Sequence, residues 1–182
     1  QIALCFVVHD LNTNAELDTE VDTLTYSNPG AHSHQLATWI WWRRAPTPAS
    51  VKWVCKVDED SYVRHDQFSH YLLTIHTNET YVGRFSTMGL PRRVVKRSSG
   101  LLNQSRVRFA YGMAYAVSRD VFDWTSTSTI VGQLGSVFIS TTSNAEDLFF
   151  GAALTRVPNL RRVNVEPEQM HDIGCWNEPS EI

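Results

Sequence analysis

The sequence is poor in cysteine and has no long apolar run. Its three cysteines, Cys5, Cys55 and Cys175, cannot all pair within one chain, and no Cys-x-x-Cys spacing indicates zinc or redox chemistry. Cys5 and Cys55 stand in apolar runs, which predicts small buried hydrophobic residues. No apolar stretch approaches the roughly 18 residues that span a bilayer, and no signal peptide is recognisable.

A large excess of one charge is also absent. The formal net charge of −3 gives no reason to expect a nucleic acid as partner. A hydrophobic content of 42% and a charged content of 19% are typical of globular proteins, and 182 residues fit a single domain. Because the chain opens directly into a strand-like run, we expect residues 1–182 to be one N-terminally truncated domain of a longer protein.

Apolar runs of strand length alternate with helical patterns along the chain. This order predicts an α/β fold with a Rossmann-like, mostly parallel sheet flanked by helices. The first run is expected to be a central strand, because it is apolar on both faces. The predicted strands are residues 2–8, 51–57, 81–85 and 108–117, and the predicted helices begin near residues 35, 65, 118 and 145.

Three segments carry weaker patterns. Residues 84–97 are basic and contain no acid, which indicates a loop, either mobile near a ligand phosphate or simply solvated. Residues 125–143 are rich in Ser, Thr and Gly, and we expect a flexible loop with a short strand. Residues 159–182 are polar and are interpreted as a chain end packed over the domain.

Three consecutive carboxylates, Asp58, Glu59 and Asp60, follow the strand that ends at Val57. In an extended chain successive side chains alternate, so Asp58 and Asp60 point to one side and Glu59 to the other. Oxygen ligands in this arrangement suit Mn²⁺, Mg²⁺ or Ca²⁺. The alternative is a solvated acidic turn.

A second acidic pair, Glu146 and Asp147, follows Asn144, which is a good helix N-cap. Both acids are predicted in the first turn of a helix, where interaction with the helix dipole alone could explain them.

These features occur in three ordered segments, Cys55–Val63, Phe109–Asp120 and Asn144–Gly151. Together they resemble the signature of the inverting β1,3-galactosyl- and β1,3-N-acetylglucosaminyltransferases, glycosyltransferase family 31, which have the GT-A fold. The resemblance extends from about residue 2 to residue 155.

The resemblance implies a donor and metal site. Asp60 would be the direct metal ligand with Asp58 beside it, and His171 would be an additional ligand. Glu59 replaces the middle aspartate that is common in the family. The donor-binding residues would further include Lys56, Tyr111 and Gly112.

The resemblance also implies the catalytic residues. Asp147 would be the general base, with Glu146 beside it, and Gly151 would allow the base-bearing helix to pack closely. The helix N-terminus is expected to favour the ionised form of Asp147 near neutral pH.

The implied reaction is the transfer of galactose or N-acetylglucosamine from a UDP-sugar, with Mn²⁺ or Mg²⁺, to a glycan acceptor on a glycoprotein or glycolipid, in β1,3 linkage. The expected location is the Golgi lumen, in a type II membrane protein whose anchor lies outside this chain. Two N-glycosylation patterns, Asn78-Glu-Thr80 and Asn103-Gln-Ser105, fit a secretory lumen.

Two other interpretations stay open. One is a GT-A relative or inactive fragment that binds a sugar or nucleotide without turnover. The other is a domain in which Asp58 to Asp60 bind a structural Ca²⁺, although the spacing of an EF-hand loop is absent.

Overall fold

The computed structural model describes residues 2–3, 6–9, 16–18, 23–26, 41–43, 47–58, 61, 63–102, 104–141 and 146–166. The strands are β1 (Ile2–Ala3), β2 (Phe6–His9), β3 (Glu16–Asp18), β4 (Thr23–Tyr26), β5 (Trp53–Val57), β6 (Thr80–Gly89), β7 (Arg106–Ser118) and β8 (Arg161–Asn164). The helices are α1 (His65–Leu73), α2 (Arg92–Arg97), α3 (Arg119–Thr127), α4 (Thr129–Thr141) and α5 (Glu146–Leu154), and residues 41–43 are also helical.

The main sheet has the strand order β1-β5-β7-β6-β8 and is mixed. β1 with β5 and β6 with β8 are parallel, whereas β7 is antiparallel to both of its neighbours. The α/β class is therefore confirmed, but the prediction of a mostly parallel sheet is wrong for the described strands. The direction of β7 decides this, and strand direction leaves no trace in local apolar periodicity.

The apolar run at residues 2–8 does not form one central strand. β1 lies at an edge of the main sheet, where Ile2 pairs with Trp53. β2 pairs instead with β4 in a separate three-stranded sheet of order β2-β4-β3. The run is thus shared between two sheets, and the prediction of a central first strand is wrong.

Aromatic side chains form the centre of the core. Trp42 stacks on Phe150 with ring centroids 4.2 Å apart and on Tyr115 at 6.1 Å. This confirms the interpretation of this tryptophan as core packing, and it attaches α5 to the face of β7. Cys55 is buried as predicted, and burial raises the pKa of its thiol to about 12. Cys5 and Cys175 lie outside the described residues.

The helices predicted near residues 65, 118 and 145 are confirmed as α1, α3 and α5. Most of the helix predicted from residue 35 lies outside the described residues.

The three weakly patterned segments contain regular structure that the sequence did not predict. α4 replaces the predicted flexible loop, because Val131, Leu134 and Phe138 are buried at helical spacing among Ser, Thr and Gly. The predicted basic loop consists of the second half of β6 and of α2, whose Val94 is buried. The predicted polar chain end contributes β8.

Candidate active site

Three carboxylates from distant parts of the chain meet beside β7. Asp58 immediately follows β5, and Glu146 and Asp147 are the first two residues of α5. The backbone N–H of Gly112, in the middle of β7, donates a 2.7 Å hydrogen bond to Oδ2 of Asp147. The carboxyl end of β5 and the N-terminus of α5 therefore converge on one strand.

A bulge in β7 forms the meeting point. Gly83 of β6 pairs with Tyr115, but Phe85 pairs with Ala110, so residues 111–114 lie opposite Arg84 alone. Such bulges redirect the backbone and are frequent next to active sites. Here the bulge presents the Gly112 N–H to Asp147.

Gly112 keeps open a space that any other residue would fill. A Cβ at this position would lie 2.5 Å from Oδ2 of Asp58 and 2.7 Å from Oδ1 of Asp147. The absence of a side chain thus lets two carboxylates face the same small volume, which agrees with the role expected for a glycine inside a strand.

Lys56 supplies the positive charge of the cluster. Its Nζ forms ion pairs with Oδ1 of Asp58 and Oε1 of Glu146, and it lies 3.4 Å from the carbonyl oxygen of Gly112. Burial by itself lowers the pKa of Lys56, but the charges of Glu146, Asp58 and Asp147 together raise it above the usual value. Lys56 therefore stays protonated and links β5 to α5.

Asp147 is the most perturbed acid of the cluster. Burial raises its pKa to about 7, Lys56 opposes the rise, and Glu146 and Asp58 add to it. The expectation that the helix N-terminus keeps Asp147 ionised near neutral pH is corrected here, because desolvation opposes it. A carboxyl group poised near pH 7 suits general acid or base chemistry.

Five of the predicted site residues are brought together: Lys56, Asp58, Gly112, Glu146 and Asp147. Tyr111 lies next to Gly112 and is 39% exposed, with the guanidinium of Arg84 5.8 Å from its ring centroid. The remaining predicted members, Glu59, Asp60 and His171, lie outside the described residues.

The described part of the predicted metal site fits a hard divalent cation. Of the predicted ligands, Asp58 is the one that the structure describes, and its Oδ2 lies beside the space over Gly112, 2.5 Å from where a Cβ would be. It is a carboxylate oxygen, the type of ligand that Mn²⁺ and Mg²⁺ prefer. Among the described residues no group of three or more His, Cys, Asp or Glu side chains forms a metal site.

Sequence reasoning missed two residues that line the site. Tyr115 is fully buried, and Nζ of Lys56 lies 5.8 Å from its ring centroid. Arg84 lies against Tyr111 at the bulge. Arg84 lies in the basic segment and Tyr115 in the second motif, but their places at the site depend on the register between β6 and β7, which a local pattern does not determine.

The chain matches the family model of the Fringe-like family over residues 8–172. The chain therefore belongs to the Fringe-like family, and this membership implies a glycosyltransferase. The match includes every predicted site residue and agrees with the resemblance to the inverting β1,3-glycosyltransferases. No curated protein matches the chain.

Glycosyltransferases of this family generally reside in the Golgi lumen. In the part of the chain that the structure describes, no helix is both long and apolar enough to cross a membrane.

Proposed function

We propose that this chain is a single GT-A catalytic domain of a metal-dependent inverting hexosyltransferase. It moves galactose or N-acetylglucosamine from a UDP-sugar to a hydroxyl of a glycan acceptor on a glycoprotein or glycolipid, in β1,3 linkage. The observation that carries the proposal is the convergence of Asp58 and Asp147 over Gly112, in a chain of the Fringe-like family.

Asp147 is the general base in this proposal. Its Oδ2 is held by the Gly112 N–H, whereas its Oδ1 lies beside the space over Gly112, 2.7 Å from where a Cβ would be. Oδ1 is therefore the atom that takes the proton from the acceptor hydroxyl. The acceptor oxygen attacks C1 of the donor sugar, the bond from C1 to the diphosphate oxygen breaks, and UDP leaves with that electron pair. One displacement of this kind inverts the configuration at C1.

The donor side of the site is at the carboxyl end of β5. Asp58, Asp60 and His171 would hold the divalent cation, which when bound supplies Lewis-acid stabilisation of the diphosphate. Lys56 orients Asp58 and Glu146 through its two ion pairs. Glu59, Tyr111 and Gly112 would line the donor sugar or ribose.

The cellular setting follows from the same proposal. The chain would act in the Golgi lumen as part of a type II membrane protein. Its partners would be the UDP-sugar and the glycan acceptor, without nucleic acid.

UDP binding measured by calorimetry with and without Mn²⁺ tests the proposal. We expect Mn²⁺-dependent UDP binding by the unmodified chain, its loss in Asp60→Ala, and no change in Asp66→Ala, which removes an exposed carboxylate on α1. Transfer is then screened with UDP-hexoses, and Asp147→Asn should lower kcat by about 10²–10⁴-fold, the usual contribution of a general base.

Other outcomes separate the alternatives. UDP binding without transfer to any acceptor would indicate a non-catalytic relative. A Ca²⁺-dependent rise in Tm with no effect of UDP would indicate a structural metal site instead.

A further inference from the structure

Two arginines of the main sheet have no acidic partner among the residues that the structure describes. Arg108 is on β7 and Arg162 is on β8, so the two strands that carry them are separated by β6. Neither guanidinium forms a salt bridge with a described residue, and Nε of Arg162 is buried without a hydrogen-bond partner.

Strand register places the two side chains on one face of the sheet. Arg162 pairs with Tyr81, and the rings of Tyr81 and Phe85 are 4.9 Å apart. The guanidinium carbon of Arg108 lies 5.0 Å from the ring centroid of Phe85. Both arginines thus flank the same aromatic pair.

The electrostatics agree with this proximity. Burial lowers the pKa of Arg162, and the positive charge of Arg108 lowers it further. The two like charges, of which that of Arg162 is partly desolvated, repel each other, and an anion between them would remove this repulsion. Guanidinium groups are the side chains that bind carboxylate, sulfate and phosphate with two parallel hydrogen bonds.

The surrounding segment is strongly biased toward positive charge. Residues 80–119 contain no Asp or Glu but eight of the chain's 16 Lys and Arg residues, although the whole chain has a net charge of −3. Arg106 lies two residues before Arg108 and is also exposed, whereas Val107 between them is buried. The positive surface therefore continues along β7 from Arg108.

Strand β7 connects this arginine pair to the catalytic cluster. Tyr81, the register partner of Arg162, accepts a 3.0 Å hydrogen bond from the backbone N–H of Ala110, two residues before Gly112. The donor diphosphate belongs with Asp58 at the end of β5, and the strand order β5-β7-β6-β8 places β7, with Asp147 at Gly112, between β5 and the two outer strands. Arg108 lies against Phe85 of β6 and Arg162 is on β8, so both guanidinium groups lie on the side of β7 away from Asp58, which is the side that the proposed function leaves to the acceptor.

We propose that Arg108 and Arg162 form an anion-binding subsite for an acidic group on the acceptor glycan, either the carboxylate of an acidic sugar or a sulfate ester. This inference rests on the proposed function, because it assigns the acceptor class of the same site. The subsite selects the acceptor and takes no part in the displacement itself.

The test measures binding of two probes to the full chain, sodium sulfate and glucuronic acid, at constant ionic strength, by calorimetry and by the rise in Tm. The variant Arg108→Gln/Arg162→Gln removes the pair. The matched control Arg92→Gln/Arg93→Gln removes two exposed arginines of the same basic segment, on α2. Both double variants lose the same charge.

We expect the pair variant to weaken binding of at least one probe by about tenfold or more, and the control to change it by less than about twofold. The probe that responds distinguishes a carboxylate from a sulfate. Mn²⁺-dependent UDP binding should be the same in all three proteins. If the pair variant does not fold, Arg162→Lys keeps the charge and removes the fork geometry, and it should still weaken binding.

Three results would overturn the inference. The first is that the unmodified chain binds neither anion, and the second is that the pair variant and the control lose the same anion affinity. The third is that the pair variant also loses UDP binding, which would assign the arginines to the diphosphate. Anion binding that depends on the pair, in a chain that never binds UDP, would instead overturn the proposed function and the acceptor assignment and leave the anion site standing.

Discussion

The backbone N–H of Gly112 donates a 2.7 Å hydrogen bond to Oδ2 of Asp147, residues that are far apart in the sequence. This contact joins the bulged centre of β7 to the first turn of α5, and it leaves Oδ1 of Asp147 facing Asp58. The proposed base is therefore positioned by a strand and not only by its own helix.

Gly112→Ala should abolish most of the activity while the protein stays folded. A Cβ would approach oxygens of Asp58 and Asp147 to 2.5 and 2.7 Å, so both carboxylates must move. A displacement of about 1 Å at reacting groups can cost about 10²-fold, and we expect a fall in kcat/KM of that order. The control is Gly89→Ala, where a Cβ would meet nothing within 4 Å. Equal activity of the two variants would contradict this account of the site.

Lys56→Met should destabilise the protein and raise the pKa of Asp147. Lys56 is the partner of Asp58 and Glu146, and it lowers the pKa of Asp147. Removing one partner of a fully buried ion pair lowers the free energy of unfolding by about 3–5 kcal/mol. We expect a decrease of about 2 kcal/mol here, because the Asp58 side chain is 37% exposed. Denaturant unfolding measures the stability, with Lys52→Met at an exposed position as the control. A Lys56 variant as stable as the control would show that the ion pairs contribute little.

The free energy of unfolding should fall as pH rises from about 4 to about 7, through the contribution of Asp147. Its pKa is raised from 3.8 to about 7, so in this window the native state binds the proton and the unfolded state does not. This contribution of Asp147 to the free energy of unfolding is lost once the pH exceeds the pKa of Asp147 in the folded state. Between pH 5 and pH 8, the free energy of unfolding of the metal-free chain should therefore fall by more in the unmodified protein than in Asp147→Asn. The control Asp66→Asn should show the same fall as the unmodified protein. Parallel curves for the unmodified chain and Asp147→Asn would count against the burial of this carboxyl group.

Gly151→Ala should destabilise the packing of α5 on β7. A Cβ would overlap with Cβ of Phe109, and it would lie 2.9 Å from Phe109 Cα and 3.1 Å from the carbonyl oxygen of Arg108. Overpacking of this kind costs about 1–3 kcal/mol, which exceeds the gain of about 1 kcal/mol in helix propensity. Thermal unfolding measures the effect.

Gly132→Ala, in α4, is the matched control for Gly151→Ala. A Cβ there meets only the guanidinium of Arg43, at 3.3 Å, which is the end of a flexible side chain. It should be neutral or stabilising by up to about 1 kcal/mol, because alanine favours the helix. Similar Tm changes in the two variants would rule out close packing at Gly151.

The sequence predicted the site residues that share a motif with known transferases. Its motifs contain Lys56, Asp58, Glu146 and Asp147, and the structure brings these residues together at Gly112. It did not predict the raised pKa of Asp147, because the effect of the helix terminus is local whereas desolvation comes from everything packed around the side chain.

The helices likewise divide into those that the sequence predicts and one that it does not. The apolar spacing of α1 and α5 is strong and predicted both helices. α4 was missed because Ser, Thr and Gly weaken its helical propensity, and burial of Leu134 and Phe138 stabilises it instead.

By itself the sequence determined the family, the order of the motifs and the chemical types of the site residues, since these depend only on which residues follow one another. The tertiary structure alone decided the direction of β7, its bulge opposite Arg84, the meeting of Gly112 with Asp147, and the position of Arg108 against Phe85. Those features depend on strand register and on desolvation, and both are set by residues distant in the chain.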